Sequence, residues 1–271
     1  KAVSRTILTW ERGLHMSPKM NREQTRLAYS FKNNILEDTL SLVVRDLETQ
    51  KSKSISLLNY DLIPLYWANE NTLYYSSVTN RPTWQCFIYK ATFIKGEQSE
   101  NVEKIRQCDA KVKMSLVAIQ DGTEIIYTNY KYRGKEFLSA LVSVNMVNGE
   151  QYQITSPPKS SRGDYYVSAS ESFERLAFVR DRLGGSSVYI SAVDGSEQQK
   201  IADVNYRIGS IHWGKNDERI SWLDPVVWEV NHYSLSEQKI TKESLGLDYA
   251  LQPIYGVEMV SPDRLTIATS Y

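Results

Sequence analysis

A single phrase recurs along this chain at intervals of roughly 48 residues: a polar turn followed by a short apolar run. It reads Ser17-Pro18 … Arg26-Leu27-Ala28-Tyr29-Ser30, then Ala68-Asn69-Glu70-Asn71 … Leu73-Tyr74-Tyr75-Ser76, then Gln120-Asp121-Gly122 … Ile125-Ile126-Tyr127-Thr128. It returns as Ser172-Phe173-Glu174-Arg175-Leu176-Ala177-Phe178-Val179, as Gly214-Lys215-Asn216-Asp217 … Ile220-Ser221-Trp222-Leu223, and as Ser261-Pro262-Asp263-Arg264-Leu265-Thr266-Ile267-Ala268. A repeat of this length built from strands and turns cannot bury its apolar face alone, and the architecture that solves the problem is a ring of small sheets. The expectation is therefore all-β: one six-bladed β-propeller over residues 1–271, with four antiparallel strands to a blade.

Each repeat divides into four strand candidates. In the fourth they are Tyr165–Ser168, Leu176–Val179, Ser187–Ala192 and Gln199–Ala202, with the hairpin signal Asp194-Gly195 before the last. Third strands are expected at Leu40–Val44, Cys86–Tyr89, Leu138–Val144 and Val226–Val230. Outer strands follow at Lys53–Ser56, Val102–Ile105, Tyr152–Thr155 and Gln238–Thr241. The polar stretch Asn101–Lys113 is also compatible with a helix. The sixth repeat shows only two strands, and Arg5–Thr9 at the head of the chain reads as the strand that closes the last blade. A β-sandwich of unrelated hairpins is the competing architecture.

Charge excludes one class of partner. Lys plus Arg and Asp plus Glu both number 32, so no net field draws nucleic acid to this chain. No apolar run reaches the length of a membrane span, and the chain reads as a portion of a longer protein whose targeting or anchoring segments lie elsewhere.

Chemistry-bearing residues are few. Cys86, on a third strand, and Cys108, at the end of the next outer strand, fall opposite one another in a simple antiparallel hairpin centred on Lys95–Gln98. A disulfide there implies an oxidising compartment; two free thiols are the alternative. His15 and His212 lie near inner strands but one position out of phase, and His232 lies on or after a third strand. No metal cluster, and no cofactor, is expected. There is no Gly-x-Ser-x-Gly elbow, and Gly184-Gly185-Ser186-Ser187 reads as a turn. Catalytic residues are expected to be absent. Trp67, Trp84 and Trp213 are either blade-to-blade packing or aromatics of a binding face.

The phrases Ser261-Pro262-Asp263-Arg264-Leu265-Thr266-Ile267-Ala268 and Arg175-Leu176-Ala177-Phe178-Val179 … Val188-Tyr189-Ile190-Ser191-Ala192-Val193-Asp194-Gly195 resemble the TolB-type propeller repeat. Residues 171–202 match it best, and elsewhere its Ser-Pro-Asp-Gly turn is degraded. Propellers of this type occur as the periplasmic protein of the Tol system, as the gate of prolyl-oligopeptidase-type enzymes, and in oligogalacturonate lyases. They also form the periplasmic half of membrane-anchored winged-helix regulators of the CadC and ToxR kind. The Tyr-rich, degenerate repeats look most like that last group. The resemblance implies a non-catalytic sensing or protein-binding module in the bacterial periplasm, tethered to the inner membrane only through a segment outside this chain. A protein partner or small signal would sit at the propeller mouth. A free Tol-type scaffold is one alternative, and a lyase or peptidase propeller another.

Overall fold

In the computed structural model, the described residues are Leu8, 12–33, 37–79, 83, 85–93, 100–108, 116–119, 122–133, 136–245, 254–261 and 264–269. The chain divides into two compact units: Lys1–Cys108 with Leu245–Val260 and Leu265–Tyr271, and Asp109–Ser244 with Ser261–Arg264.

The first unit holds two four-stranded antiparallel sheets. One is β1 (Leu14–Met20), β2 (Arg26–Lys32), β3 (Ser41–Asp46) and β4 (Ser52–Ile55); the other is β5 (Asp61–Trp67), β6 (Thr72–Thr79), β7 (Gln85–Phe93) and β8 (Glu100–Gln107). Strand order follows chain order, as up-and-down blades require. The polar Asn101–Lys113 stretch is strand as far as Gln107, because each of its residues from Asn101 to Lys104 pairs with β7. The two sheets share one core. Ala28, Leu42 and Val44 of the first meet Leu62, Trp67, Leu73, Tyr75, Ala91 and Phe93 of the second.

The second unit begins with β9 (Leu116–Ile119), β10 (Glu124–Arg133), β11 (Glu136–Asn145) and β12 (Gln151–Gln153), followed by β13 (Ser161–Ala169), β14 (Arg175–Arg182), β15 (Gly185–Ala192) and β16 (Gln199–Val204). A single parallel bridge, Ser139 to Gly163, joins β11 to β13. Gly163 is required there: its φ is +116°, and a Cβ would lie 2.5 Å from the Ser139 backbone nitrogen. The unit ends in β17 (Ile211–Trp213), β18 (Arg219–Asp224), β19 (Glu229–Ser234) and β20 (Lys239–Ser244). Ala177, Val179, Val188, Ile190 and Ala202 pack against Ile211, Trp213, Ile220, Trp222 and Tyr233.

The last pair, β21 (Ile254–Ser261) and β22 (Arg264–Thr269), forms a two-stranded sheet. Apart from Leu8, half-buried against Leu27, Tyr29 and Val43, the expected closing strand Arg5–Thr9 lies outside the described residues.

The recurring turn phrase has one geometry. Asn21 N–H donates to Arg26 O at 3.0 Å, Ser170 N–H to Arg175 O at 2.9 Å, and Gly214 N–H to Arg219 O at 2.7 Å. Two residues before the turn's arginine the backbone is left-handed: Gln24 at φ 61°, Phe173 at 58° and Asp217 at 54°. The inner strands share a bulge as well. Ser17 and Tyr166, each nine positions before the turn's arginine, sit at φ 50° and 52° where β1 and β13 slip register. Pro18 and Pro64 fall at such slips, where a missing N–H costs no ladder bond.

One strand differs from expectation. The run Val226–Val230 reads as a third strand, yet that strand is Glu229–Ser234. Asp224 explains the shift: its Oδ1 accepts the N–H groups of Val226 at 2.9 Å and Val227 at 3.4 Å, folding Pro225–Trp228 into a turn that Trp228 completes at φ 54°.

Candidate functional site

Two constellations in the second unit carry polar or exposed chemistry. The first runs across β17, β18 and β19. His212 pairs with Ser221, and Ser221 with His232, so the three side chains share one face of the sheet. Ser221 Oγ and His232 Nδ1 are 2.8 Å apart, and Glu243 Oε2, on β20, lies 3.7 Å from His232 Nε2.

Serine, histidine and carboxylate in sequence is the composition of a hydrolytic relay. The setting is wrong for one. Ser221 is 0% exposed and His232 6%, so no carbonyl can reach the hydroxyl. The histidine also meets the serine through Nδ1, with its far nitrogen toward the carboxylate, whereas the working relay uses the opposite order. The row satisfies buried polar atoms inside a sheet.

The same pairing rule that aligned the cysteines would have aligned Ser221 with His232. The misplaced third strand hid it.

The second constellation is a set of exposed apolar side chains in turns, where polar residues are the norm. Leu183, between β14 and β15, is 80% exposed; Val226 and Val227, between β18 and β19, are 59% and 47% exposed. Both turns join the second strand of a sheet to its third, at adjacent sheets of one unit.

Among the residues singled out from sequence, Cys86 and Cys108 are bonded, with Cα atoms 5.1 Å apart, and Cys108 N–H donates to Cys86 O at 2.9 Å. Their register continues the Phe87–Gln107 and Ile88–Arg106 pairs. Trp67 and Trp213 do not form a binding face. Trp67 is buried against Phe93 and its indole N–H donates to Lys19 O at 3.0 Å; Trp213 is buried in the core shared by two sheets. Trp84 lies outside the described residues.

His15 is buried between Tyr29 and Phe31 in the first unit, while His212 and His232 flank Ser221 in the second. Among the described residues no group of three metal-ligating side chains occurs.

Other charges near the second site are committed. Asp164, fully buried, receives both Nε and Nη2 of Arg180 at 2.6 and 3.0 Å, and that guanidinium lies 4.5 Å over the Tyr189 ring. Burial pushes the Asp181 carboxyl above its ordinary range, against the opposing hydrogen bond from Ser186 and the charge of Arg162.

No protein-family model and no curated protein matches the sequence. Solved structures do match in shape. TolB from Acinetobacter baumannii aligns with a TM-score of 0.64 at 14% identity, over 85% of this chain and 54% of that one. The fold is that of TolB-like β-propellers. An oligogalacturonate lyase from Vibrio parahaemolyticus gives 0.61 at 11% identity, over 97% of this chain and 79% of that one. A chain of the nidogen/laminin complex gives 0.59 at 7%, over 86% and 81%. The chain thus spans about half the length of the A. baumannii TolB, and at these identities the likeness is one of fold alone.

Proposed function

We propose that this chain is a non-catalytic, protein-binding β-propeller working outside the bacterial cytoplasm. The observation that carries this reading is the contrast between its two constellations: the hydroxyl and imidazole of the relay-like row, Ser221 and His232, are buried inside a sheet, while Leu183, Val226 and Val227 stand in solvent. Reactive groups must meet substrate to act, and exposed apolar side chains mark contact surfaces. The Cys86–Cys108 bond supports an oxidising compartment, which in bacteria is the periplasm. Among the fold relatives the nidogen/laminin complex favours a binding role and the oligogalacturonate lyase a chemical one, so the turnover test below decides between them.

The reading includes a closed, single-domain ring of six blades, in which the N-terminal segment completes the sheet of β21 and β22 and leaves no open edge. It also includes the signal-input role: the periplasmic half of a membrane-anchored winged-helix regulator, where a bound partner favours one arrangement of subunits over another. The regulator part is tested on the parent gene upstream of Lys1, where a winged helix and one apolar span are expected; a hydrolase domain beside the propeller would contradict it.

The binding part is tested by turnover. Incubated with polygalacturonate and manganese, and separately with prolyl peptides, the protein is expected to release no product. Unsaturated oligogalacturonide or cleaved peptide, formed in proportion to protein, overturns the reading.

A further inference from the structure

The two exposed turns are linked by one bridging segment. Gly185, just past the Leu183-Gly184 turn, is pressed against Val204 and Asn205; a Cβ there would collide with the Val204 carbonyl and approach the Asn205 Cα to 2.9 Å. The next residue, Tyr206, carries the contact onward. Its phenolic oxygen accepts Trp222 Nε1–H at 3.2 Å and Asn231 Nδ2–H at 3.1 Å. Trp222 and Asn231 are partners across β18 and β19, two pairs below the Pro225–Trp228 turn. The 205–207 segment thus bridges, within one unit, the end of the Leu183 turn and the sheet that carries the Val226-Val227 turn.

The charges around this surface are unbalanced. Lys159, Arg162 and Arg207 are exposed, while the half-buried Arg182 is committed to Asp203 at 3.7 Å and to Val204 O at 2.8 Å. Arg162 sits close to the Leu183 turn, at the bulge between the Ser161–Arg182 and Gly163–Asp181 pairs. The nearby carboxylates are either paired with cations or set back from solvent: Asp224 is buried and Asp181 half-buried, and these two keep their charge. Asp181 accepts from Ser186; Asp203 is held by Lys200 at 2.6 Å, Ser187 and Arg182. Asp224 caps its own turn, and Glu229 faces Lys242 at 3.6 Å. What faces solvent is apolar surface rimmed by cations.

We propose that the Leu183, 205–207 and Val226-Val227 surface is a docking site for an acidic, apolar peptide segment of a protein partner. The deduction rests on the protein-binding reading above and gives it a location and a chemistry. Apolar side chains of the partner would cover Leu183, Val226 and Val227, and its carboxylates would meet Arg162, Arg207 and Lys159. The rim charges would set the salt dependence and association rate, and the apolar centre the residence time.

The probe is a phage-displayed random-peptide library selected on the intact, oxidised chain. Recovered peptides are expected to place Asp or Glu beside Leu, Val or Phe, and their binding to weaken with added salt. Two variants locate the site: Leu183→Ser with Val226→Ser and Val227→Ser, and separately Arg162→Glu with Arg207→Glu. Each set is expected to lower affinity by about tenfold or more. All five positions are exposed, and thermal unfolding of each variant checks that it folds like the parent chain.

Peptides recovered with no acidic bias, or bound equally by both variants, overturn the assigned surface while leaving a binding propeller in place. Failure to recover any peptide overturns it too. So does tight binding to phosphatidylglycerol vesicles that Arg162→Glu with Arg207→Glu abolishes, since the rim would then read lipid headgroups. Turnover of polygalacturonate together with loss of peptide binding would reject the underlying binding reading itself.

Discussion

Phe173 shows what the degraded turn costs. Two residues before its arginine the turn demands a left-handed backbone, and Phe173 adopts it at φ 58° while 41% exposed. A non-glycine residue in that region is strained by about 1–2 kcal/mol, while glycine gives back some of this through extra freedom in the unfolded chain. Phe173→Gly is therefore expected to stabilise the protein by about 0.5–1 kcal/mol, read from the urea midpoint at unchanged slope. Ser221→Ala should do the reverse. It leaves His232 Nδ1 buried without its hydroxyl partner, a loss of about 1–3 kcal/mol, and it should leave peptide binding untouched.

Asp181 gives a pH-dependent case. Its folded-state pKa is raised, so the folded chain holds the proton more tightly than the unfolded chain does. Stability contributed by this group is then full below the unfolded value and is lost as pH rises through the folded one. Asp181→Asn keeps an acceptor for Ser186 and carries no charge to bury. The variant should be the more stable protein at neutral pH and should lose that advantage below about pH 4, where the wild-type carboxyl is protonated. Urea titrations at the two pH values decide it, and an advantage that persists in acid would refute the assignment.

Among the elements, the strands built on short apolar runs are the legible ones. The strands of the fourth repeat lie where the sequence puts them, as do third strands around Leu42, Ile88 and Leu141, whose side chains are fully buried. The Val226–Val230 run has the same composition and was misread. One hydrogen-bonding carboxylate, Asp224, outweighs the propensity of two valines and a tryptophan, and a composition-based reading carries no term for it. That error moved β19 and concealed both candidate sites at once: the Ser221–His232 pair and the exposed turn. Trp67 and Trp213 were ambiguous for a different reason, since packing and binding aromatics look alike until the adjoining sheet is in view.

β8 tests the element scale experimentally. It is an edge strand with Val102 exposed, and the Cys86–Cys108 bond closes a separation of 22 residues next to its last pair. Cys86→Ser with Cys108→Ser is expected to cost about 3 kcal/mol. The loss should appear as earlier hydrogen exchange along Glu100–Gln107. A cost well under 1 kcal/mol would mean that β8 is held by its ladder alone.

At the scale of the molecule, architecture was readable from period and function was not. Repeats constrain how sheets stack, while a binding face is made of whichever turns project from that stack, and those turns are free to vary without disturbing the core. Here they combine three apolar side chains with a rim of arginines and a lysine on a chain whose overall charge is balanced. A local surplus of this kind is invisible to a net count.

The account places function on that turn surface and not in the buried row. The most direct test is hydrogen–deuterium exchange of the intact chain, with and without a saturating acidic–apolar peptide. Slowed exchange confined to 183–184, 205–207 and 225–228 is the predicted result. Slowed exchange centred on His212, Ser221 and His232, with those turns unchanged, would contradict it.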